Sequence, residues 1–156
     1  MKAIIKSLIL GFWIVCHMSQ VVAQTKDADA IKAVISKETS SYFNVDYKGW
    51  ADTWLKVPYA YWSYSDSTNT SFVESWDALD KSKASYFKNS KPSRATITNE
   101  WQEVRVYGNG AYARFIQRVK DDIDRDETSQ MRVLEKTKDG QWKVICVGAI
   151  AKYSNE

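Results

Sequence analysis

Two short glycine turns, Gly108-Asn109-Gly110 and Lys138-Asp139-Gly140, each lie between stretches of alternating apolar residues. Asn-Gly and Asp-Gly supply the positive φ angles that a tight hairpin requires. The second half of the chain therefore has to be a series of antiparallel strands, with expected bounds 95–107, 111–121, 129–136 and 142–153. The segment between the second and third of these, around DDIDRDE, reads as an acidic, solvated loop.

The first half follows another period. Ile31, Val34, Ile35, Glu38, Tyr42 and Val45 recur at three- and four-residue spacing, which predicts a helix over 27–44. Asp46 is placed to cap a second helix over 47–55, in which Trp50 and Trp54 share a face, and Pro58 ends it. The alternating YAYWSYS of 59–65 predicts a strand, and the polar cluster at 66–70 a turn, with 71–73 as the hairpin partner. Helical spacing returns over 75–89 through Trp76, Leu79, Tyr86 and Phe87, before Pro92. The expected order is α-α-β-β-α-β-β-β-β, one α+β domain over 24–156 with helices on one face of an antiparallel sheet.

Residues 1–23 are a separate unit. Lys2 and Lys6 precede an uncharged apolar run from Ser7 to Met18 and a short stretch ending Val21-Val22-Ala23, the plan of a secretory signal peptide. The run is short for a bilayer span, which needs about 20 residues, so the expected product is exported to the periplasm or extracellular space, with no membrane segment after cleavage. Cys16 lacks the small preceding residue and the upstream leucine of a lipid-anchor site, since Val15 and Trp13 stand there.

Cleavage changes what the chain can do. Taking Lys2 and Lys6 from 22 basic residues leaves 20 against 19 acidic ones, so no basic surplus remains to neutralise phosphates and no nucleic-acid partner is expected. His17 departs as well, which excludes a Ser-His-Asp triad, a Cys-His dyad and a histidine-ligated metal. Asp122, Asp124 and Asp126 have the spacing of a calcium loop, but Glu127 stands where glycine is needed and Val133 where the closing acid is needed. No metal and no cofactor are expected. Cys146 is left without a partner or an activating histidine and reads as an inert buried thiol.

The stretch SSYFNVDYKGWADTW, the aromatic strand, the WDALDKSKASYF helix and the closing VLEKTKDGQWKVICV hairpin resemble the nuclear-transport-factor-2-like superfamily, in particular its SnoaL-like branch. The resemblance implies a cone: a strongly curved sheet wrapped around three helices of the N-terminal half, a cavity at the open end, and a homodimer formed through the sheet. It does not imply one activity, because the superfamily contains isomerases, dehydratases, cyclases and adaptors. Aligned on Asp46 and Gly49, the sequence has Trp62 where isomerase-like members carry their base and Glu38 where they carry a tyrosine. Their second acid falls near Met131 or Arg132. Dehydratase-like members need a histidine that the mature chain lacks.

Glu38 is the most informative residue. It lies within the apolar stripe of the first helix, and a carboxylate turned inward must be paired, hydrogen-bonded or protonated. Arg114 and Arg132 are the two arginines placed on strands to answer it. The pair is either a structural bridge or part of a site that orients a ligand. Trp54, Trp62, Tyr64, Trp76 and Trp101, with Tyr42, complete a set of aromatic residues expected around a cavity, where they serve either as core or as walls for a planar ligand. The expectation is an exported domain that binds a small organic molecule. The alternatives are a cyclase, isomerase or dehydratase using Glu38 or Asp46 as acid and base, and a dimeric adaptor without catalysis. A packed cone favours the adaptor, an unpaired Glu38 in an open cavity the enzyme, and an open aromatic cavity with Glu38 locked to arginine the binding domain.

Overall fold

The computed structural model describes residues 25–121 and 125–151. The expected leader, residues Asp122 and Asp124 of the acidic loop, and the end of the last expected strand lie outside them.

Helix α1 covers 25–43, α2 Tyr47–Thr53 and α3 Trp76–Asn89. The strands are β1 Tyr61–Ser65, β2 Thr70–Glu74, β3 Thr96–Tyr107, β4 Gly110–Lys120, β5 Arg125–Lys136 and β6 Trp142–Ala151. The element order is the expected one. Strand β5 begins four residues earlier than predicted: Arg125 to Thr128 pair with Lys120 to Gln117, so most of the supposed loop is ladder. Charged side chains made this segment look like loop, yet a strand with one wet face accommodates them.

Helix α2 also ends early. Trp54 forms an isolated parallel bridge with Val144, and Leu55 donates its backbone N–H to Val144 O at 2.9 Å, which draws the chain out of helical geometry towards β6. At the other end Asp46 accepts from Gly49 N at 2.9 Å. Only glycine fits there, because a Cβ would run into the Asp46 carboxylate and Ser41 Oγ.

The six strands form one curved, unclosed sheet in the order β2-β1-β6-β5-β4-β3. Every pairing is antiparallel except β1 with β6, which is parallel and joins the N-terminal hairpin to the last strand. Ile31, Ile35, Trp50, Leu79, Phe115, Leu134 and Val144 are fully buried between helices and sheet. Asp27 ties the start of α1 to the sheet by accepting from Lys136 Nζ at 2.6 Å and from Trp142 Nε1 at 3.0 Å.

Strict alternation along β6 predicts that Trp142 and Val144 share a face with Cys146, Gly148 and Ile150. The structure corrects this. Val133 pairs with Cys146 but Leu134 pairs with Val144, leaving Ile145 as the extra residue of a β-bulge. Side-chain parity flips there, so Trp142, Val144, Val147 and Ala149 are all buried, while Ile150 on the outer face is 57% exposed. Val147 is thus an inner residue.

Candidate functional site

The α1 stripe carries Glu38 inward just as its spacing requires, and the residue is buried. Arg132 arrives from β5, whose inner face also presents Gln130 and Leu134. Its Nη2 lies 3.3 Å from Glu38 Oε2, and Trp50 Nε1 donates to Glu38 Oε1, also at 3.3 Å. Arg132 Nη1 donates to Gln130 Oε1 at 2.6 Å, and the guanidinium carbon stands 5.5 Å from the Phe115 ring centre. Both carboxylate oxygens thus have donors, while Arg132 Nε–H is buried without an acceptor. Gln117, one strand over, donates to Thr39 and Asn99.

Arg114 does not take part. Phe115 and Gln117 are buried on the inner face of β4, so alternation turns Arg114 outward, where it is exposed. Arg114 shares the outer face of β4 with Tyr112 and Ile116. Asp46 is exposed and engaged as the α2 cap, outside the recess described below.

Beside the Glu38–Arg132 pair is an open recess of about 480 Å³ between α1, α3 and the inner face of the sheet. Of the residues expected to line a cavity, it brings together Glu38, Tyr42, Trp62, Tyr64 and Arg132. Trp54 and Trp76 are elsewhere: they pack with Trp50 at centroid distances of 6.0 and 5.6 Å and belong to the core. Trp101 lies on the far side of α1, its ring tilted at 45° against that of Phe115 with the centroids 4.8 Å apart, and borders a second depression with Ile97 and Asn99.

Lys83 is the residue that sequence reasoning missed. It extends the α3 stripe of Leu79 and Tyr86, a charged residue within an apolar face, which is the same signal that singles out Glu38. Its Nζ stands 3.5 Å from the centre of the Trp62 ring and 5.8 Å from that of Tyr42. Burial lowers its pKa, opposed by the negative charge of Glu38. Tyr42 stacks on Tyr86 at 4.3 Å and 7°, and burial, with the neighbouring Tyr86 and Glu38, pushes its hydroxyl up to about 12. Cys146 is half-buried, and burial raises its thiol pKa. Among the described residues no three His, Cys, Asp or Glu side chains converge as metal ligands.

No family model matches the sequence, and no curated protein matches it. Solved structures do. An NTF2-like protein of unknown function from Shewanella oneidensis superposes with a TM-score of 0.61 at 16% identity, over 78% of this chain and 97% of that one. A ketosteroid isomerase-like protein from Erwinia carotovora atroseptica gives 0.61 at 13% identity, over 81% and 97%. A proposed dehydratase of the NTF2-like family from Streptomyces avermitilis gives 0.64 at 15% identity, over 83% and 99%. The chain has the fold of NTF2-like proteins.

Proposed function

We propose that the chain is an exported domain that binds a small organic molecule in the recess between α1, α3 and the sheet, without acid–base catalysis by Glu38. The observation that carries this reading is the saturation of Glu38 by Arg132 and Trp50 at the edge of an open recess walled by Tyr42, Trp62 and Tyr64. Both oxygens of the carboxylate are engaged by donors of the protein itself, so it holds α1 to the sheet rather than presenting a free oxygen to the recess. Its volume is within the range of about 300–1,000 Å³ usual for ligand pockets. The similar structures described as isomerase-like and as a proposed dehydratase raise the enzymatic alternative, but the pairing of Glu38 weighs against it. Export rests on the charged, apolar and small-residue segments of residues 1–23.

Native mass spectrometry of protein purified from its own host tests the reading. A stoichiometric small-molecule adduct is expected on the wild type and should be lost in Trp62→Ala. A bare chain that is also not stabilised thermally by any member of an aromatic small-molecule library would overturn it.

A further inference from the structure

Two donors along the recess, on Lys83 and Arg132, are not met by an acceptor side chain among the described residues. Lys83 contacts only ring faces, and no carboxylate among the described residues pairs with it. An aromatic face attracts a cation but is no substitute for the three acceptors that an ammonium group can engage. Glu38, whose field reaches Lys83, is already bound by Arg132 and Trp50. Of the other acids along the recess, Glu127 is bound by Arg118 at 2.7 Å and Asp126 is exposed at the rim, where water screens it. A second donor is unmatched: Arg132 lines the recess, its side chain is only 5% exposed, and its Nε–H has no acceptor. Leaving a buried donor unsatisfied is costly, so Arg132 Nε–H favours a ligand that brings an acceptor, and the half-buried Lys83 ammonium can engage another.

We propose that the ligand is an aromatic or otherwise apolar carboxylate, and that Lys83 anchors its anionic end. This rests on reading the recess as a small-molecule site. Tyr42, Trp62 and Tyr64 are flat surfaces for the apolar body, and Lys83, held over Trp62, places a positive charge beside them. A neutral molecule of the same shape would leave that charge unanswered. Charge-assisted hydrogen bonds are about twice as strong as neutral ones, so the discrimination falls on the ligand's charge rather than on its shape.

The test compares 2-naphthoate with its neutral counterpart 2-naphthamide by isothermal titration calorimetry on the mature chain. The acid is expected to bind about tenfold more tightly than the amide. That preference should fall towards unity in Lys83→Met and persist in Lys83→Arg. Equal binding of acid and amide by the wild type overturns the anionic anchor while leaving the recess as a small-molecule site. A preference that survives unchanged in Lys83→Met overturns the role of Lys83. Binding of neither probe overturns the recess reading, and the proposal with it.

Discussion

Arg132 Nη2 lies 3.3 Å from Glu38 Oε2, an ion pair across 94 residues of sequence that joins the middle of α1 to β5 with both side chains almost wholly buried. Removing either partner leaves the other charge buried and alone. Glu38→Ala and Arg132→Met are each expected to cost about 3 kcal/mol in urea denaturation, and the double variant should cost less than their sum. Single costs under about 1 kcal/mol would mean that the pair is wet and screened.

Asp27 sets an acid limb of stability. Hydrogen bonds from Lys136 and then Trp142 hold its carboxyl below the ordinary aspartate value of 3.8. Its contribution is therefore complete above that value and is lost as pH falls below it towards the depressed folded-state value. Wild-type melting temperature should fall more steeply than that of Asp27→Asn between pH 4 and pH 2, by differential scanning calorimetry. Parallel curves would show that the unfolded chain holds Asp27 equally well.

The bulge at Ile145 is a second point of vulnerability. Its deletion would force Trp142 and Val144 to the outer face while Val147 stays inside, because a one-residue slip inverts every side chain beyond it. The deletion variant should lose its cooperative unfolding transition. Ile145→Ala, which keeps the residue count, should retain one. A cooperative deletion variant with native near-ultraviolet circular dichroism would show that the sheet absorbs the slip.

Met131, Ile150 and Phe72 are exposed on the outer face of the sheet, and Met131 and Ile150 lie on neighbouring strands. We expect two copies to associate through this face, as apolar surface on a soluble sheet commonly marks a contact. Ile150→Asp should convert a dimer to a monomer in light scattering at micromolar concentration. A monomeric wild type would remove the expectation. The substitution belongs at Ile150 rather than Val147, since the bulge turns Val147 inward.

Much of this was legible in the chain because its signals are local. The two Asn-Gly and Asp-Gly turns define the strands on either side of them, and the three-four spacing of α1 is enough to turn Glu38 inward. Which arginine answers Glu38 was not legible. Arg114 and Arg132 each alternate consistently with their neighbours, and only the pairing of Ala113 with Arg132 and of Phe115 with Gln130 decides which face is inside. The Ile145 bulge is hidden for a related reason: both parities of VICVGAIA are apolar, so an extra residue changes the geometry without disturbing the pattern. Trp54 and Trp76 could not be separated from Trp62 by composition, because burial beside Trp50 is a tertiary outcome.

The parallel pairing of β1 with β6 has a consequence in time. Tyr61 to Ser65 dock on Cys146 to Ile150, and the end of α2 is bonded to Val144, so the segment made early is completed only by β6, more than 75 residues later. Until Trp142–Ala151 is in place, the β1–β2 hairpin has α3 to pack against but no further strand to pair with. Such non-local closure slows folding. The N-terminal hairpin and the end of α2 therefore join the sheet only once β6 is in place, after the β3–β4–β5 meander can already have formed.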